Sequence, residues 1–290
     1  MELATTTGDF ARYTKDQTKM FEYIKKSGFS YADYNFGSDY KNRNGVFLPD
    51  WLSYINEVNE CCAKLEIKLI QAHSPMGIPL ADNNEDFIND TKRCIEACGK
   101  LGIKNIVIHS GYLDYISKKE SLEKNKVFYE KLLKTAEEYE VTILTENFNK
   151  MISKDVYWID NATDLLELIE YVNHPLFHAV WDVGHANMQE ISQEEEITLL
   201  GSHIKALHIH DNNGAKDQHI CPFFGTLNMD SVISGLKKIG YDGYFTFETG
   251  GFLNQASVTN SDFDIDLELK LEVEKLLYKI GKRILSSYSL

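Results

Sequence analysis

No stretch of the 290-residue sequence approaches the roughly 20 consecutive apolar residues that a membrane-spanning helix needs, and the opening MELATTTGDF lacks a basic segment followed by an apolar one. A cytoplasmic protein with no membrane partner is expected. Positive charge is also scarce. Thirty Lys and Arg stand against 44 Asp and Glu, a formal net charge of −14, so the bulk balance gives no support to a broad basic face that grips nucleic acid by counterion release. Cysteine is sparse and odd in number, five in all. Cys61-Cys62 and Cys94-x₃-Cys98 fall in helical patterns rather than CxxC knuckles, which argues for buried reduced thiols. Cys221, two residues after His219, is read as a packing residue. Low-complexity and Pro/Gly/Ser-rich linkers are absent as well, which removes the usual signs of a domain split. One domain over residues 1–290 is expected.

What the chain does have is an alternation of short β-branched or aromatic runs with longer stretches of helical period, repeated until eight of each are counted. Strands are expected at Glu2 to Thr6, Ser30 to Tyr34, Ile67 to Ala72, Asn105 to His109, Val141 to Glu146, His178 to Asp182, Ile204 to His210 and Tyr244 to Glu248. The clearest helices run from Pro49 to Leu65, Asn84 to Leu101, Glu120 to Tyr139 and Asp264 to Leu285. At this length, with 43% hydrophobic residues, the pattern reads as an α/β protein, a single closed (β/α)₈ TIM barrel.

In that fold the active site lies at the C-terminal ends of the strands. His73, His109, Glu146, Asp182, His208 and Glu248 all fall at or just past such ends, and His185, Asp217 and His219 follow in the next loops. Side chains two apart on a strand share a face, so Leu144 lies beneath Glu146, Val180 beneath Asp182, Ala206 beneath His208 and Thr246 beneath Glu248. Several carboxylates at an apolar inner rim would repel one another unless a cation offset them. Glu146, Asp182, His208 and Glu248 can surround one divalent ion. His73, His109, His185, Asp217 and His219 supply further metal or substrate contacts, and His210 shares the inward face with His208. His174, His178 and His203, at strand starts or on a preceding helix, are read as structural. Mixed carboxylate and imidazole ligation suits Mn²⁺, Zn²⁺, Co²⁺ or iron, with one to three ions per chain.

Five segments carry a family resemblance over nearly the whole chain: IVIHSG around His109, LTEN at Glu146, WDVGHAN at Asp182 and His185, LHIHDNNGAKDQH from Leu207 to His219, and GYDGYFTFETG at Glu248. They resemble the xylose isomerase-like barrels, which include sugar and sugar-phosphate isomerases and epimerases and endonuclease IV. HDNNG, DQH and PFFGTLNMD are most similar to the isomerase/epimerase branch. That resemblance implies a divalent-metal-dependent isomerase or epimerase of a sugar, sugar phosphate or related polyhydroxy carbonyl compound. Glu146 and Glu248 would exchange protons with the substrate through a metal-stabilised enediolate. The implied partner is a small carbohydrate, and a homo-oligomer is compatible with it.

The rival within the same superfamily is zinc-dependent phosphodiester hydrolysis at abasic DNA. All nine positions of the endonuclease IV three-zinc set have counterparts here: His73, His109, Glu146, Asp182, His185, His208, Asp217, His219 and Glu248. Two departures weigh against it. The loop after His73 reads Ser-Pro-Met-Gly, without the tyrosine that the endonuclease inserts into DNA, and Ile-Cys-Pro-Phe-Phe-Gly-Thr replaces its glycine-flanked glutamate. Lys41, Arg43 and Lys216 are candidate phosphate contacts. Phe36, Tyr112, Phe148, Trp181, Phe223 and Phe224 are aromatics that could cover a sugar face or simply pack.

Overall fold

Every strand of the protein is short and most are buried at the residues that matter for the site, as the computed structural model shows for residues 1–149, 159–189, 191–252 and 265–289. The strands are β1 (Glu2–Thr6), β2 (Tyr31–Asn35), β3 (Lys68–His73), β4 (Asn105–Val107), β5 (Thr142–Glu146), β6 (Phe177–Asp182), β7 (Ile204–His208) and β8 (Tyr244–Phe247). They form one eight-stranded sheet in the order β7-β6-β5-β4-β3-β2-β1-β8, with parallel neighbours. Just beyond the ends of that ladder, the Ile209 N–H donates to the Thr246 carbonyl (2.8 Å) and the Glu248 N–H to the Ile209 carbonyl (3.1 Å). These two bonds join β7 to β8 and close the barrel.

Inside the cylinder, Val107, Leu144, Val180 and Ala206 form an apolar cluster of their own, one from each of β4 to β7. The opposite face of each strand packs into a larger core shared with the helices. Those helices are α1 (Gln17–Lys26), α2 (Gly37–Asn42), α3 (Trp51–Leu65), α4 (Glu85–Leu101), α5 (Lys118–Tyr139), α6 (Ala162–Val172), α7 (Val183–Asn187), α8 (Gln193–Leu200), α9 (Met229–Lys238) and α10 (Leu267–Tyr288). Local chemistry sets their ends. Asp16 caps α1, Ser117 and Glu120 form a reciprocal capping box on α5, and Gly102 ends α4 in the left-handed conformation.

Several boundaries differ from the sequence reading. Pro49 lies outside α3, which starts at Trp51. The Ser117 capping box starts α5 two residues before Glu120, at Lys118. The last helix is capped by Asp266 and extends to Tyr288, while Asp264 lies outside the described residues. Strands β4, β7 and β8 stop before His109, His210 and Glu248. There the chain leaves the ladder and turns toward the mouth.

One buried acid stands apart from the mouth. Asp39, on α2, accepts hydrogen bonds from the Tyr34 hydroxyl (2.8 Å) and the Gln17 amide (3.4 Å). Burial pushes its carboxyl up to about 7, more than those bonds pull it down. A folded-state value above the unfolded one means the fold binds this proton more tightly, so stability is full in acid and falls as pH rises toward 7. Asp39→Asn is therefore expected to gain on the wild type by about 2.5 kcal/mol between pH 5 and 7.5, read as the change in urea-unfolding free energy at the two values. A difference between the two proteins that does not vary with pH would show that Asp39 is ionised throughout.

Candidate metal centre

The ends of β5, β6, β7 and β8 bring Glu146, Asp182, His208 and Glu248 together, with one donor atom from each lying within 4.8 Å of all the others. Glu146 sits at the centre. Its Oε1 is 2.9 Å from His208 Nδ1 and 3.7 Å from His185 Nδ1, and its Oε2 is 2.8 Å from His109 Nε2 and 3.7 Å from His73 Nε2. Glu248 Oε2 approaches the same His208 Nδ1 at 3.6 Å and His219 Nδ1 at 3.7 Å. Asp182 caps α7 through the His185 N–H (2.7 Å) and contacts His210 Nε2 at 3.0 Å.

Two further donor groups adjoin this one: His73, His109 and Glu146 on one side, and His185, His210, Asp217 and His219 on the other. Asp217 bridges His185 and His219, with 3.3 Å separations to each Nε2. All the candidate ligands read from the sequence thus meet at one end of the barrel. His174, by contrast, pairs with Glu137 (3.2 Å), and His178 pairs with His203 (3.3 Å), outside all three groups. Cys221 belongs to none of the groups either; it packs in the core, and burial pushes its thiol up to about 12.

The electrostatics call for positive charge. Burial opposes ionisation of Glu146, yet His208, His109 and His73 hold it well below the usual carboxylate range. Asp182 is lowered against its burial by His185 and His210, and Glu248 by His208 and His219. The imidazoles respond in kind. Burial works against their charged form, but Asp182 and Asp217 lift His185 to about 10, and Asp217 and Glu248 lift His219 to about 9. His109 goes the other way, because its burial outweighs Glu146.

Two observations test whether a divalent cation suits this donor set. A shell at about 2.0–2.2 Å keeps its ligands within about 4.4 Å of one another, close to the spread of the first group. The ring orientations in the two flanking groups agree as well. His73, His185 and His219 each place Nδ1 against a main-chain carbonyl, those of Ser74 (2.8 Å), Asn147 (2.9 Å) and Glu248 (3.1 Å), so Nε2 is left to face the carboxylates. Carbonyls that fix a ring in this way are what metal-bound histidines ordinarily have behind them. The residues fit a cation.

The sequence profile of the family described as xylose isomerase-like TIM barrel matches residues 21–263. The chain belongs to that family. Among proteins similar to this family member, the fructoselysine 3-epimerase of Escherichia coli O157:H7 is 30% identical over 88 residues, 30% of this chain and 32% of that one. A probable endonuclease 4 of Mycoplasmopsis pulmonis is 27% identical over 184 residues, 59% of this chain and 63% of that one. The chain therefore spans less than two thirds of either relative. The solved structure of D-psicose 3-epimerase from Clostridium cellulolyticum H10 shares the fold, with a TM-score of 0.75, 20% identity and coverage of 98% of this chain and 99% of that one.

Around the donors, this xylose isomerase-like barrel has supports that the sequence reading did not single out. Asn147 grips the main chain of Asp182 from both sides, donating to its carbonyl (2.8 Å) and accepting from its N–H (2.7 Å). Asp211 accepts from the N–H groups of Phe223, Gly225 and Leu227 at 2.9–3.0 Å and so folds the segment after His219. Asp33, in the barrel interior, lies 3.7 Å from His208 Nε2 and accepts from the Gln71 amide at 2.8 Å. His219 itself has a φ of 45°, a left-handed backbone that histidine tolerates better than most residues.

The remaining candidates divide. Arg43 is committed to Asp90 through two bonds (2.7 and 3.2 Å) and lies over the Phe47 ring, away from any phosphate role at the mouth. Lys41 lines a separate groove with Arg12 and Lys15 that meets the central cavity at Asn35 and Gly37, and Lys216 is exposed on the loop before Asp217. Phe36 and Trp181 are core residues, Phe223 and Phe224 are exposed, and Tyr112 lines an adjoining cavity. Phe148 forms a wall of the central cavity, with its ring 5.2 Å from that of His109 and 4.8 Å from that of His185.

Proposed function

We propose that the protein is a divalent-metal-dependent isomerase or epimerase of a small polyhydroxy carbonyl compound. Glu146, Asp182, His208 and Glu248 hold the ion, and Glu146 and Glu248 serve as the proton-transfer pair. The observation that carries this reading is that two carboxylates from β5 and the end of β8 reach the same His208 nitrogen, at 2.9 and 3.6 Å, and both line one cavity of about 300 Å³. That volume suits a single sugar. The likeness to sugar 3-epimerases supports it.

A cation held by these four residues would polarise a carbonyl and its neighbouring hydroxyl and so acidify the C–H between them. The carboxylates then have separate tasks: one takes the proton from carbon, and the other returns a proton from a different direction, which inverts the centre or moves the carbonyl. The imidazoles of His208, His109 and His73 surround Glu146 and keep it anionic, so that it carries no proton when substrate arrives. Asn35 and His219 line the same cavity and offer polar contacts to substrate hydroxyls.

Metal-loaded protein is expected to exchange a substrate C–H proton with deuterated solvent across a panel of ketoses, inososes and sugar phosphates, with exchange lost after chelation. Absence of exchange on every member would remove this function. A second reading, metal-assisted hydrolysis of a phosphodiester in abasic DNA, is favoured by one specific observation. The group of His185, His210, Asp217 and His219 adds ligands beyond those one ion needs. It requires three ions per chain by metal analysis and incision of an abasic duplex at low salt.

A further inference from the structure

We propose that the substrate carries an apolar substituent, aryl or short alkyl, which lies in a trough opening directly off the central cavity; this rests on the sugar-directed reading above. The trough has a volume of about 330 Å³ and shares Met76, His109 and Phe148 with the cavity beside it. Its outer walls come from two loops, with Ile78 from the segment after β3 and Tyr112 and Leu113 from the segment after β4.

Three properties make it a binding compartment rather than a gap between loops. It is large enough, since an apolar cavity of about 150 Å³ already accommodates a benzene ring. It is apolar where an open mouth would ordinarily be polar: Met76 is 61% exposed, Ile78 67% and Tyr112 38%, a concentration of exposed hydrophobic surface of the kind that marks a ligand site. And its walls are anchored. Asn125 on α5, fully buried, accepts from the Gly111 N–H (2.7 Å) and donates to the Gly111 carbonyl (2.9 Å). A Cβ on Gly77 would run into the Phe87 ring of α4, and one on Gly111 would run into Leu80 of the neighbouring loop, so the first loop is seated on α4 and the second on the first.

The two compartments suit different chemistry. A free sugar satisfies its hydroxyls among the carboxylates and imidazoles of the central cavity; Ser110, Tyr112 and Asp114 add polar groups to the trough, but hydroxyls laid against Met76, Ile78 and Leu113 go unpaired. A sugar with a hydrophobic group on the end remote from the reacting carbon fills both. The group dehydrates Met76 and Ile78 as it enters, and its burial adds to affinity without touching the proton-transfer pair.

The experiment compares 6-O-benzyl-D-fructose with 6-O-methyl-D-fructose, both of which keep the ketose carbonyl and its neighbouring hydroxyl, by isothermal titration into the metal-loaded full chain. The benzyl ether is expected to bind at least tenfold more tightly. Ile78→Asp, at an exposed position outside the central cavity, is expected to bring the ratio near one while the methyl ether binds as before. Equal affinities in the wild type, binding of the methyl ether alone, or a preference that survives Ile78→Asp would each overturn the trough. Absence of solvent proton exchange with the aryl preference intact would overturn the proposed reaction and leave the trough standing.

Discussion

Glu248→Gln lowers proton exchange into substrate by at least about 10³-fold while the protein still binds a metal ion; Glu146→Gln loses both exchange and the ion. The contrast follows from position. Glu248 keeps 19% of its side chain exposed and approaches His208 and His219, whereas Glu146 is 2% exposed and has four imidazoles within 3.7 Å. Removing the Glu146 charge leaves those rings with no central counter-charge and takes the shared ligand from two donor groups at once. Glu248 lies nearer the open side, and Glu146, Asp182 and His208 remain after its loss. Metal content of the purified variants together with exchange rates separates the two cases. Undiminished exchange in Glu248→Gln would exclude it from proton transfer.

The second large effect is expected from the smallest change, Gly184→Ala. The Gly184 backbone poses no obstacle, since it sits inside α7 and its φ is not in the left-handed range. The added Cβ, however, would lie inside the His210 imidazole. That ring cannot step aside without breaking contacts. It is fully buried, contacts Asp182 at 3.0 Å and stacks on His219 with centroids 3.8 Å apart and planes 15° from parallel. Overpacking of this kind costs about 1–3 kcal/mol, and either response damages the centre: His210 leaves Asp182 and drags His219, or α7 shifts and carries His185. Metal affinity is expected to fall by about 10–100-fold, with a lower melting temperature in the presence of metal. A variant that retains wild-type affinity and melting would show that His210 is free to move.

Much of this centre is legible in the amino-acid order. Leu144 with Glu146, Val180 with Asp182 and Ala206 with His208 follow the two-residue period, and Leu144, Val180 and Ala206 do meet inside the cylinder beneath the polar rim. Parity alone carries that inference, because a parallel barrel allows one inward face per strand. The supports are harder to read. Asp33 and Gln71 are polar residues in strands, and a single polar residue in a strand ordinarily signals a solvent-facing side, whereas here both are buried and bonded to each other. Asn147 and Asp211 resemble ordinary loop residues until the N–H and carbonyl groups they serve are known. The pattern runs past the observed strand ends to His109, His210 and Glu248 for a related reason: it marks where a run could pair, and only the neighbouring strand determines where it stops.

The closure of the barrel has a mechanical side. The seam between β7 and β8 is held by hydrogen bonds at Ile209, directly between His208 on one edge and Glu248 on the other. An ion gripped by those two residues would straddle the join like a clasp, so that its binding would add a tie between these two staves beyond the hydrogen bonds at Ile209.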